Sequence, residues 1–204
     1  MKLLIIGCMI AGCSYFVIRS LMKVDPEHGM CFLGKQKLIL LAGSIISALL
    51  YTFVTEGIGW LGIYIYFVIA ALTDSMICKV YDILQYPAFL CGVFILIKSK
   101  PDLQVGIVLL IFFLLQYFVF MRFFGAADGM AFMVAALAEA SLGYDITIYL
   151  FHMICAYLLL SVVQILKGNV GRNAKLKVPV PFLPYIMISF WGILLFGDQI
   201  HLYM

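Results

Sequence analysis

The sequence predicts an all-α, polytopic integral membrane protein with about eight transmembrane helices (roughly six to eight). Three observations predict it. Of 204 residues, 66% are hydrophobic and only 11% charged, a balance that excludes a soluble globular domain. The apolar residues fall in runs of about 20, the length that crosses a bilayer as a helix. The charges sit between those runs, so the net charge of +3 reports topology and is not a nucleic-acid footprint. With short loops, the length leaves no room for a separate water-soluble domain.

The first run, Leu3 to Met22, is followed by a polar loop, Lys23 to Lys37, that contains Pro26 and Gly29. Ile10-Ala11-Gly12-Cys13 after Lys2 resembles a lipoprotein cleavage box. The apolar stretch nevertheless continues through Tyr15-Phe16-Val17-Ile18, and positive charge collects at its far end in Arg19, Lys23, Lys35 and Lys37. The positive-inside bias holds that end in the cytoplasm, the wrong orientation for a removable signal. Leu38 to Thr55 forms the second span, and Glu56-Gly57 turns the chain into the third, Ile58 to Cys78, whose polar exit is marked by Lys79, Tyr81 and Asp82. The fourth, Ile83 to Ile97, carries Pro87 in its first turns, where few backbone donors are lost. Lys98, Lys100, Pro101 and Asp102 connect it to the fifth, Leu103 to Phe123, which Arg122 closes. Gly125-Ala126-Ala127 leads to Asp128. The sixth span, Gly129 to Leu142, is short and rich in Ala, the composition of a helix packed against protein rather than lipid. Gly143 and Tyr144 lead to the seventh, Asp145 to Leu166; the basic loop KGNVGRNAKLK and the segment VPVPFLP then enter an eighth that finishes near Gly197.

Eight spans place the loops after spans one, three, five and seven on one side. Of the 13 Lys and Arg residues, all but Lys2, Lys98 and Lys100 fall there, which makes that side cytoplasmic. Asp74, near the end of span three, and Asp128, at the start of span six, then lie at one depth on the cytoplasmic edge. The six cysteines (Cys8, Cys13, Cys31, Cys78, Cys91, Cys155) show no C-x-x-C spacing and read as small buried hydrophobes. Neither a structural disulfide nor a cysteine-built metal site is expected, and no cofactor.

An ionisable side chain among residues meant for lipid costs from about 2.5 kcal/mol upward, so each aspartate is a statement about function. If spans three and six are adjacent, the two carboxylates share one proton, because like charges a few ångströms apart do not both ionise. The ionised member removes a proton from an attacking water and the protonated member donates to a scissile carbonyl oxygen, which hydrolyses a peptide bond with no covalent intermediate and no metal. The small side chains of Gly125, Ala126 and Ala127 leave room for an extended peptide, and Gly125 adopts backbone conformations other residues avoid. The plainer alternative is that each aspartate snorkels from a helix end to the headgroups.

The residues around both aspartates resemble those of the type IV prepilin peptidases, intramembrane aspartic proteases with a G-x-G-D motif. DSMICKVYDILQYP is similar to the family's run of aspartate, basic stretch, I-P-N and later proline: Asp74 stands at the first catalytic aspartate, Lys79 at a basic residue, Val80-Tyr81-Asp82 at I-P-N, and Pro87 at the later proline. GAADGMAFMVAAL is similar to G-x-G-D-x-K and the small, apolar helix after it, with Asp128 as the second catalytic aspartate. Val180-Pro181-Phe182-Leu183-Pro184-Tyr185 resembles a Pro-Phe-x-Pro run near the family's last helix. Ala127 replaces the second glycine, a small-for-small change that related branches of this protease class imply is tolerated; Met130 replaces the usual lysine and Tyr81-Asp82 the Pro-Asn pair, changes that bear on substrate recognition more than on the dyad. The resemblance covers roughly Ile58 to Gly197. It implies two N-terminal helices in residues 1–56 and a peptidase-like membrane domain in 57–204, a short form without the cytoplasmic zinc-binding region that the larger bacterial members link to methylation. It further implies an endopeptidase of the cytoplasmic membrane that cuts basic leaders from pilin-like precursors, with those precursors and membrane lipid as partners, and no nucleic acid.

Three other ionisable residues draw attention. Asp82 reads as an interfacial charge facing water. Glu139, about three turns beyond Asp128 on the same helix face, reads as a helix-end residue that reaches water. His152, inside span seven, reads as a partner in an interhelical hydrogen bond. The competing function is a small proton-coupled transporter with Asp74, Asp128, Glu139 and His152 as relay; it calls for internal repeats, and none is evident. The third is an inactive relative that assists assembly of a pilus or secretion system, suggested by the changes at Ala127 and Met130.

Overall fold

A computed structural model describes residues 1–25, 34–167 and 180–203, and the basic loop between spans seven and eight lies almost wholly outside them. The described residues form eight helices and no strand. They are α1 (Lys2–Val24), α2 (Gly34–Phe53), α3 (Ile58–Ile77), α4 (Asp82–Ser99), α5, α6 (Ala126–Ser141), α7 (Ile146–Leu166) and α8 (Leu183–Tyr203). The fifth, α5, is α-helical over Leu103–Leu115, widens to a π-helix over Gln116–Phe120 and ends in an α-turn, Met121–Phe124. All but α6 are long and apolar enough to cross a membrane. The chain is an all-α polytopic membrane protein.

Lipid offers no hydrophobic drive to bring apolar helices together, so close packing and a few hydrogen bonds order the bundle. α3 is its hub: it touches α1, α2, α4, α6 and α8, and 67% of its span is buried, against 17% for the span in α5. Small residues permit the close approaches. Gly59 and Gly62 of α3 lie against Ile95 and Cys91 of α4, and Gly92 of α4 lies against Leu137 of α6. Between α3 and α8, Phe67 and Phe190 stack with ring centroids 4.8 Å apart. α6 is short because it is an inner helix. Its alanines Ala131, Ala135, Ala136, Ala138 and Ala140 are all buried, as the composition predicts.

Local chemistry sets the ends. α3 stops where Cys78 turns left-handed (φ 51°) and its N–H caps the Asp74 carbonyl. Asp145 starts α7 by accepting from the Thr147 N–H at 3.0 Å. Two expectations need correction. α6 begins at Ala126 rather than Gly129, so Asp128 stands inside its first turn; that position suits a carboxylate, which meets the positive end of the helix dipole. The cysteines are not buried: Cys8 and Cys13 are exposed, Cys78, Cys91 and Cys155 partly so, and all five are free thiols, while Cys31 lies outside the described residues. On a lipid-facing surface a small apolar side chain needs no protein cover.

Candidate functional site

Asp74 is on the last turn of the most enclosed helix, and only 7% of it is exposed. Its Oδ2 accepts from the Leu183 N–H at 2.8 Å, and the Phe182 N–H is directed at the same carboxylate. The bond has a plain cause. The first N–H groups of a helix have no partner inside it and carry the positive end of its dipole, so a carboxylate at the start of α8 satisfies both needs. Pro184 follows as the second residue of α8, where the N–H it lacks is not required. The side chain of Asp74 therefore points inward to α8 and does not snorkel.

Asp128 reaches the same place from α6. Helices α3 and α6 touch, and the charges of Asp74 and Asp128 interact. Gly125 precedes α6 with φ 118° and ψ 155°, a conformation essentially confined to glycine. A Cβ there would stand 3.6 Å from Asp128 Oδ2, so this turn lies directly beside the carboxylate. Ala126 is exposed and Ala127 and Asp128 are half-buried, which leaves this side of the pair open. Gly129 is closed by Met121, whose Cγ would be 2.5 Å from an added Cβ; the end of α5 crosses α6 there. The fully buried hydroxyl of Tyr66, on α3, has no hydrogen-bond partner and lies near enough to Asp128 to interact with its charge.

The structure thus joins Asp74, Asp128, Gly125 and the Leu183-Pro184 corner. Ala126 and Ala127 flank the opening. Lys79 and Asp82 are exposed, in the α3–α4 link and at the first residue of α4, where Asp82 meets the positive end of that helix dipole. Tyr81 has a role that sequence did not suggest: its hydroxyl donates to Asp25 Oδ2 at 2.8 Å, which ties the link to the end of α1. Burial, then the hydrogen bond and charge of Asp25, push the Tyr81 phenol up to about 12. The backbone donors of Phe182 and Leu183 likewise have no signature in residue type. The Pro-punctuated start of α8 was their only signal.

Glu139 requires the largest correction. It does not reach water: it is 0% exposed, and its Oε1 lies 2.7 Å from Nδ1 of His152, itself 1% exposed. α6 packs against α3, α4, α5, α7 and α8, and Glu139 is enclosed among them although Leu142, just past the end of the helix, is exposed. His152 Nε2 stands 3.2 Å from the Ile186 carbonyl, the interhelical hydrogen bond expected of it. Among the described residues no three of His, Cys, Asp and Glu are placed to hold a metal ion. Compared with known proteins, the chain matches no family model, no curated protein and no solved structure.

Proposed function

We propose that the chain is an intramembrane aspartic endopeptidase of the type IV prepilin peptidase kind, cutting basic leaders from pilin-like precursors at the cytoplasmic membrane face. One observation carries the reading: two carboxylates from touching helices, Asp74 on the last turn of α3 and Asp128 on the first turn of α6, lie near enough for their charges to interact, with a glycine turn beside Asp128. The excess of Lys and Arg in the loops after spans one, three, five and seven supports a cytoplasmic position for the pair. A substrate whose leader stays inside and whose apolar helix stays in the bilayer has to be cut at that edge.

The chemistry uses one shared proton. The direct bond from Leu183 N–H favours the negative charge on Asp74, which makes it the base, and leaves the proton with Asp128. Asp74 takes a proton from water as the water oxygen bonds to the scissile carbonyl carbon, and Asp128 gives its proton to the carbonyl oxygen. Collapse of the resulting diol breaks the C–N bond: the departing nitrogen takes a proton from Asp74 and one diol hydroxyl returns a proton to Asp128, which restores the pair. A positioned acid and base each supply about 10²–10⁴-fold.

The test is co-expression in membranes with pilin-like precursors, read as a leader-sized mobility shift, with Asp74→Asn and Asp128→Asn in parallel. Loss of cleavage in each single variant is the expected result. Persistent cleavage in either one removes that residue from the dyad. A second reading, a proton-coupled transporter, is favoured by the buried Glu139–His152 pair. Proton flux in vesicles that depends on Glu139, with no cleavage of any precursor, would put it first.

A further inference from the structure

The Glu139–His152 pair has no part in the chemistry above, yet it is the most enclosed ionisable contact among the described residues. The proton positions follow from the partners. A backbone carbonyl only accepts, so His152 Nε2 carries a hydrogen and donates it to Ile186 O, which also accepts from Ser189 Oγ at 2.9 Å. On its other side the ring places Nδ1 2.7 Å from Glu139 Oε1, an ion-pair distance. Neither carboxylate oxygen of Glu139 has a hydrogen-bond partner, so the close approach of His152 is its one polar contact among the described residues. The imidazole is held by aromatic rings, edge-on to Phe132 of α6 and stacked over Phe190 of α8. Other titratable groups face Glu139: Tyr144 and Tyr149 feel its charge, and the Tyr144 hydroxyl donates to Asp198 on α8 at 2.8 Å.

What the pair connects is specific. Glu139 is on α6, about three turns from Asp128. Ile186 is on α8, one turn from Leu183, whose N–H holds Asp74. One bridge through His152 therefore locks the helix that carries one aspartate to the helix that orients the other. A buried ionic pair gives little net stability over well-packed apolar residues, and its best-attested use is to fix alignment.

We infer that Glu139 and His152 are positioning residues for the Asp74–Asp128 site, setting the alignment of α6 against α8 through the Ile186 carbonyl. The inference rests on the peptidase reading for its kinetic test, and a second readout is independent of it. In the full chain in membranes, the double variant Glu139→Leu/His152→Phe replaces the pair with apolar side chains. It is expected to unfold at or near the wild-type temperature and to lose about 10- to 100-fold in kcat, the cost of a misplacement of about 1 Å, with KM little changed. Glu139→Gln, whose amide N–H can still donate to Nδ1, is expected to restore most of kcat. Should the double variant not fold, His152→Gln, which keeps one of the two bonds, is measured in its place. A stable double variant that cuts at the wild-type rate overturns the inference.

The independent readout is modification by a hydrophobic carbodiimide, mapped by mass spectrometry. The ratio of labelling at Asp74 to labelling at Asp128 should change in the double variant and return in Glu139→Gln, while Asp82 labels equally throughout. An unchanged ratio overturns the coupling whether or not any precursor is cut. If the wild type cuts nothing while the ratio still changes in the double variant, only the peptidase reading is overturned.

Discussion

Asp74 has two separable duties, and its substitution measures both. It closes the N-terminus of α8 through the Leu183 N–H, 2.8 Å from Oδ2, and in the proposed reaction it is the base. Asp74→Asn keeps an oxygen in place to accept that N–H and loses the charge, so the structural cost is the charge–dipole part, about 0.3–1 kcal/mol. Asp74→Ala removes the acceptor and leaves a buried N–H unsatisfied at a site 7% exposed, a cost of about 1–3 kcal/mol. For a chain of this size, roughly 2–4 °C accompanies each kcal/mol, so Asp74→Ala should unfold several degrees below Asp74→Asn. Both variants should be inactive in the membrane cleavage assay. Thermal unfolding of the purified chain in detergent, beside cleavage of a pilin-like precursor, reads the two duties separately. Equal unfolding temperatures for the Asn and Ala variants would refute the account of α8 capping, and cleavage by Asp74→Asn would leave Asp74 as a helix cap and nothing more.

Three further outcomes are expected. Gly125→Ala and Gly57→Ala each force an L side chain to a φ near 119°, a strain of about 1–3 kcal/mol, but only Gly125 adjoins Asp128; both should lower the unfolding temperature and only Gly125→Ala should slow cleavage beyond that. Gly62→Ala brings a Cβ to 2.6 Å from Cys91 Sγ and should destabilise the α3–α4 seam by about 1–3 kcal/mol, with the unfolding temperature largely recovered in Gly62→Ala/Cys91→Ala. Burial, then the Asp25 hydrogen bond and charge, hold the Tyr81 phenol protonated up to about 12 in the folded chain, against an ordinary value of 10.0, so the unfolded chain loses this proton first as pH rises. Its stabilisation is complete below pH 10.0 and is lost towards about 12; alkaline unfolding of Tyr81→Phe should lack that component.

The sequence by itself determined the membrane class and the number and order of the helices. Those features depend on local quantities: the length of an apolar run, the residues that interrupt it and the sign of the charges beside it. It also marked α6 as a packed helix, since its richness in alanine is a property of the segment alone. Only the tertiary structure decided what each buried polar group meets. That Asp74 binds the start of α8, that Tyr81 reaches the end of α1 and that Glu139 is sealed against His152 are pairings between segments far apart in the chain. No periodicity encodes them. A glutamate near a helix end normally reaches water, and it fails to here because α6 lies inside a ring of longer helices, whose packing and not whose sequence removes the solvent.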